Sequence, residues 1–225
     1  MARIIDAFIK PNLKYKFLPE EDSFRYNEDK NRLVVAVADG ITRDPVGIED
    51  FPKEGDIEGV KRVISLYPKP SPAKISADLF CEKFVEFSEE ERDVQAIALR
   101  CNRESRKLNE DNNPNSNYLD RDYWACVASF GIIENSELNY GLIGDCGIVV
   151  LDKSGKVKFQ ATPTLEDVDE FVQSQEGYDW NKGKWRRWIR SELRNKQHFV
   201  DGRLIAYGAF TGEDGAKEFV KTKEY

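Results

Sequence analysis

Residues 33–38, LVVAVA, form an unbroken apolar run, with the polar NEDKN before it and Asp39-Gly40 after it. The run has strand length, and apolarity on both faces predicts a central strand covered on both sides. Upstream, LKYKFLPEEDSFRY reads as its partner strand, and NEDKN as the polar turn of an antiparallel hairpin. ARIIDAFIK predicts a further strand, stopped by Pro11-Asn12. Residues 41–72, rich in proline, glycine and acid, predict a long loop. Ser71-Pro72 then marks a helix start, serine as N-cap and proline at the first helical position. Ile75, Leu79, Phe80, Phe84 and Phe87 follow at helical spacing. A second helix is predicted over about 90–109, with Val94, Ile97, Ala98, Cys101 and Leu108 on one face, before the break NEDNNPNSN.

Strands return in WACVASFGII and LNYGLIGDCGIVVLD around the turn ENSE, then VKFQA after KSGK, a meander of short strands. Thr164 and Asp167 have the spacing of a capping box opening a helix LEDVDEFVQSQ. NKGKWRRWIRSELRNK places Trp185, Trp188, Ile189 and Leu193 on one helix face and Lys184, Arg187, Arg190 and Arg194 on the other. The tail RLIAYGAFTGEDGAKEFVKTKEY reads as strand, turn, then strand or short helix. Segregated strands and helices with hairpin connections predict an α+β fold, not βαβ units. There is no internal repeat, and residues 1–225 read as one domain.

Composition narrows the chemistry. The 225 residues are 40% hydrophobic and 33% charged, with a net charge of −7. An acidic chain is poorly suited to nucleic acid, whose phosphates require neutralising. No run approaches the roughly 18 apolar residues of a membrane span. The N-terminus lacks the apolar core and cleavage site of a signal peptide, so a cytoplasmic protein is expected. Cys81, Cys101, Cys126 and Cys146 lie far apart in sequence and read as packing residues of a reducing compartment. His198 is the single histidine, which excludes histidine-rich zinc sites, and no GxSxG elbow accompanies it. It is expected at the surface. Any metal must therefore be held mainly by oxygen, as Mg²⁺, Mn²⁺ or Ca²⁺ is.

The carboxylates are the chemical candidates. Asp22 begins the first strand of the hairpin and Asp39 ends the second, so antiparallel pairing brings them to one edge, with Glu21 adjacent. Carboxylates that converge repel unless a cation lies between them. Gly40 lets the backbone turn sharply and offer its carbonyl as a hard oxygen ligand. Asp-Gly is equally a common turn dipeptide, and the residues alone leave both readings open. Asp145 in GLIGDCG also follows an apolar strand. The glycine spacing of that segment lacks the βαβ context of a phosphate loop.

Taken in order, EEDSF, LVVAVADG, the helix pair, YGLIGDCGIVVLDKSGKV and AYGAFTGEDGAKEFV resemble the metal-dependent protein serine/threonine phosphatases of the PPM (type 2C) family. The resemblance implies two stacked antiparallel sheets flanked by helices, with a site for two Mg²⁺ or Mn²⁺ ions at one end. It implies that Asp39 bridges the ions and the Gly40 carbonyl binds one. Glu21 and Asp22 would hold waters of the centre, and Asp145 would serve a third, weaker ion. The substrate would be a phosphorylated protein or peptide, attacked in line by an activated water, without a protein nucleophile.

Three departures accompany the resemblance. Ile41-Thr42-Arg43 follows Asp-Gly where the family has a glycine-rich stretch or an acid histidine. The phosphate-binding arginine before the acidic pair is absent, leaving Lys16 and Arg43 as candidate phosphate-binding cations. The family's last two aspartate motifs would lie beyond Tyr225, so its final strands are expected to be missing and metal binding to be weak. The basic face of the 184–194 helix reads either as a solvated surface or as a dock for an acidic or phosphorylated partner. Two functions follow: a metal-dependent phosphatase, or a PPM-like binding or regulatory module without turnover.

Overall fold

The protein, here a computed structural model, is described over residues 19–41, 50–53, 55–66, 68–112 and 124–225. The predicted first strand lies outside these residues. The main sheet is antiparallel, in the order β1 (Ser23–Glu28), β2 (Arg32–Gly40), β3 (Cys126–Glu134), β4 (Glu137–Ile143) and β9 (Lys221–Glu224). The hairpin is as predicted: Ser23 pairs with Ala38 and Glu28 with Leu33 across a turn at residues 29–31. The strand begins at Ser23, one residue later than expected.

One face of the sheet carries α2 (Pro72–Phe87) and α3 (Val94–Asn112). Alternation along the strands decides what meets them. Val34, Ala36 and Ala38 of β2 and Ala128, Phe130 and Ile132 of β3 join Phe80, Phe84, Ile97 and Phe210 in the principal core. The rings of Phe80 and Phe210 stack at 4.5 Å, and those of Phe84 and Phe130 lie 4.8 Å apart. Ser71 caps α2 as predicted, accepting a hydrogen bond from the Lys74 N–H at 3.1 Å.

The other face carries a second antiparallel layer of two strands, β5 (Ile148–Leu151) and β6 (Val157–Ala161). Ile148, Val150 and Phe159 pack on Leu138, Tyr140 and Leu142 of β4. The fold is thus α+β with stacked antiparallel sheets, the second one small. Because that layer covers β4, β2 is not covered on both sides: Val37 is 43% exposed.

Three local expectations are corrected. The predicted loop over residues 41–72 contains a helix, α1 (Ile57–Ile64), whose N-cap Asp56 accepts from the Gly59 N–H at 2.9 Å. Helix α4 (Glu166–Gln173) starts at Leu165 without a side-chain cap, so Thr164 and Asp167 form no capping box. The basic face of α5 (Gly183–Glu192) is only partly solvated: Lys184 is exposed and Arg187 half-buried, but Arg190 is buried, as is Arg194 just beyond the helix, and Arg186 outside that face is buried too. Arginine stems pack as apolar chains when the head finds partners. Arg186 lies 3.9 Å over the Phe51 ring and donates to the Trp180 carbonyl, and Arg194 faces Glu213 at 3.7 Å. The apolar face is as expected, with Ile189, Leu193 and Trp188 joining Val168 and Val172 of α4. Short strands β7 (Phe199–Val200) and β8 (Arg203–Leu204) follow. His198 is half-buried, its ring 5.5 Å from that of Phe171.

Candidate functional site

Hairpin register builds the site. With Ser23 opposite Ala38, the next residues outward are Asp22 and Asp39. Their carboxyl groups are within hydrogen-bonding reach, and the Asp39 carboxyl is pushed up from 3.8 to about 7. Burial of the carboxyl is the largest cause, although the residue as a whole keeps exposed surface; the charge and hydrogen bond of Asp22 come next, then the charges of Asp145 and Glu21. Of the four carboxylates singled out in the sequence, Asp22 and Asp39 are the close pair, and the charges of Asp145 and Glu21 are felt at Asp39. Lys16 and Arg43 lie outside the described residues.

The first turn of α2 fastens the acidic corner. Glu21 is 9% exposed, and the Ser71 hydroxyl donates to its Oε1 at 2.5 Å. Lys74 Nζ donates to the Asp22 carbonyl at 2.9 Å and to Asp78 Oδ1 at 2.7 Å, and Ser23 donates to the same Asp78 oxygen at 2.6 Å. In the sequence Ser71 reads only as a cap, and Lys74 and Asp78 carry no predicted role. Their signal was an i, i+4 charge pair one turn inside the capped helix end.

Gly40 is required by space. A Cβ there would lie 2.5 Å from the Ala73 carbonyl oxygen and 2.7 Å from that of Glu21, and the Gly40 N–H donates to the Glu21 carbonyl at 3.2 Å. The glycine lets the strand end, α2 and the acidic corner meet. Cys146 sits close by, its thiol pushed up to about 12 by burial and by the charges of Asp39 and Asp145. A neutral soft thiol is a poor ligand for a hard cation.

A cavity of about 590 Å³ opens from Asp39, Gly40 and Asp145 toward the α4–α5 layer, where Val168, Asp169, Tyr178 and Trp180 line it. These wall residues are not legible in the sequence as part of a site, because they come from segments far from Asp39 and Asp145 in the chain.

The chain runs similarly to two solved proteins. One is RsbX in complex with magnesium, with a TM-score of 0.45 and 15% identity over 91% of this chain and 59% of that one. The other is the catalytic domain of the serine threonine protein phosphatase PstP with two manganese ions, with a TM-score of 0.43 and 14% identity over 91% of this chain and 65% of that one. This chain thus spans about three-fifths of the RsbX chain and just under two-thirds of the PstP chain. The likeness is confined to the course of the chain. No family model matches the sequence. No curated protein matches it either.

The donor set can be weighed against a divalent cation. Asp22 and Asp39 offer hard oxygens, and their mutual repulsion is the condition a cation relieves, so the pair fits Mg²⁺ or Mn²⁺. Among the described residues no group of three or more histidine, cysteine, aspartate or glutamate side chains is arranged to hold a metal ion. The pair is what this part of the chain offers.

The raised Asp39 pKa makes a signed prediction. In metal-free protein the folded state keeps the Asp39 proton up to about pH 7, whereas the ordinary carboxyl loses it near 3.8. Over that window the folded state binds more protons, so its stability falls as pH rises. Urea midpoints measured in EDTA should decline across the window, and Asp39→Asn should remove that part of the slope. An unchanged slope in the variant would show that Asp39 titrates normally.

Proposed function

We propose that this domain is a Mg²⁺- or Mn²⁺-dependent phosphatase acting on phosphoserine or phosphothreonine in a protein or peptide. The observation that carries the reading is the apposition of Asp22 with Asp39, which itself lines the cavity. In this reading Asp22 and Asp39 hold the cation, Glu21 and Asp145 add negative charge around it, and the Gly40 carbonyl is a further donor. A bound cation supplies a more acidic water and neutralises charge on the transferring phosphoryl group. Ser71 and Lys74 keep the acidic corner in place, and the cavity walls limit water around the ester. The resemblance gives two ions, with a third weak position near Asp145, as the full complement.

We read residues 1–225 as one domain in a cytoplasmic setting, a reading supported by four free cysteines. No helix among the described residues is long and apolar enough to cross a membrane. A second reading, a regulatory module that binds phosphorylated partners without turnover, draws on the absence of a three-carboxylate cluster among the described residues.

Hydrolysis of a phosphothreonine peptide across a Mn²⁺ titration, with an EDTA control, decides between them. Activity that rises with Mn²⁺ and disappears in EDTA is expected. EDTA-insensitive hydrolysis would overturn the metal mechanism. Phosphopeptide binding without hydrolysis would establish the module instead.

A further inference from the structure

We propose that the cavity beside the carboxylate pair seats a basic side chain of the substrate, so that the domain selects phosphopeptides with arginine or lysine next to the phosphorylated residue. This deepens the phosphatase reading and rests on it. The cavity, about 590 Å³, lies within the range of small-ligand pockets and holds more than a phosphate group. Among the described residues, every charged side chain that lines it is acidic: Asp39 and Asp145 from the sheet side, and Asp169 from α4. Glu166 and Asp167 share the first turn of α4 with Asp169, and the buried Arg186 of α5 turns its head to the Trp180 carbonyl and the Phe51 ring. Lys182, near the mouth in sequence, is paired with Asp50 at 2.7 Å and is not part of the lining.

The wall beside these acidic groups is apolar and aromatic. Val168, Val172 and Ile189 pack together in this wall, and Tyr178 and Trp180 line it with Asp169. Trp180 is 52% exposed, and the Asp169 charge is felt by the Tyr178 phenol. An acidic side chain would be repelled here. An aliphatic one would cover the walls but desolvate Asp169 without a partner. A long basic side chain meets every feature: its methylene stem lies on the valines, and its head reaches the Asp169 carboxylate and the aromatic rings. With the phosphate at the Asp22–Asp39 end, the flanking residue points toward α4.

The test uses peptides carrying a non-hydrolysable phosphonate in place of phosphoserine and differing only in the flanking residue: arginine, leucine or glutamate. Their binding to the 225-residue chain is followed by fluorescence anisotropy in Mn²⁺. The arginine peptide should bind about tenfold more tightly than the glutamate peptide, and more tightly than the leucine peptide. In Asp169→Asn that ratio should fall to about twofold. Asp169 is exposed on α4, and a matching thermal melt confirms that the variant folds. Equal binding of the three peptides, tightest binding by leucine, or an unchanged ratio in Asp169→Asn would overturn the proposal. An arginine preference indifferent to both Mn²⁺ and the phosphonate would keep the acidic pocket for a basic side chain and overturn the phosphatase reading.

Discussion

Asp39→Asn should lower Mn²⁺-dependent phosphopeptide hydrolysis on the order of 100-fold or more. The amide keeps the size of the side chain and removes the charge that pairs with a cation. Asp22 opposite it would then stand as the single close carboxylate, and one is a poor hold on Mg²⁺ or Mn²⁺. Fold stability should move the other way. In metal-free protein near neutral pH, Asp39 is desolvated beside Asp22, with Asp145 and Glu21 adding to the repulsion. Removing its charge should leave the urea midpoint unchanged or raised. Loss of activity together with preserved or higher stability separates a functional carboxylate from a structural one. Isothermal titration with Mn²⁺ supplies the binding side of the comparison. A variant that hydrolyses phosphopeptide at the wild-type rate would show that Asp39 is an ordinary turn residue.

Gly40→Ala should destabilise the fold by about 1–3 kcal/mol and weaken Mn²⁺ binding with it. The added methyl would be 2.5 Å from the Ala73 carbonyl oxygen and 2.7 Å from that of Glu21. Both blocking atoms are main chain, so no rotamer change relieves the contact; α2 or the acidic corner must shift. Either shift disturbs the Ser71–Glu21 and Lys74–Asp22 hydrogen bonds. For the same reason Ala73→Gly should not rescue the variant, since it leaves the carbonyl in place. Urea denaturation and Mn²⁺ titration of the single and double variants check this. A Gly40→Ala protein with wild-type stability would show that the strand end and α2 are not in contact as described.

Much of the architecture could be read locally. The run LVVAVA between a polar turn and Asp-Gly predicted the middle of β2, whose nine residues also take in Arg32, Asp39 and Gly40, in an antiparallel hairpin, and Ser71-Pro72 predicted the start of α2. Helix α1 escaped because Asp56, a sound N-cap, stands inside a stretch whose prolines and glycines dominate its composition. The arginines of α5 were misplaced because charge predicts solvent only until a ring such as Phe51 and a carboxylate such as Glu213 are brought to meet it. Nothing local reveals that meeting.

The same division runs through the site. The sequence by itself determined that Asp22 and Asp39 converge, because antiparallel pairing follows from a short polar turn and a two-residue period. It also determined that a metal here must be bound by oxygen, since His198 is the single histidine. Only the tertiary structure decided that Asp39 is desolvated and its carboxyl raised, that Ser71 and Lys74 hold the acidic corner from a helix some fifty residues away, and that α4 and α5 wall a cavity beside it. Burial, long-range hydrogen bonds and enclosed volume come from segments distant in the chain, and no periodicity within a segment encodes which others it will face.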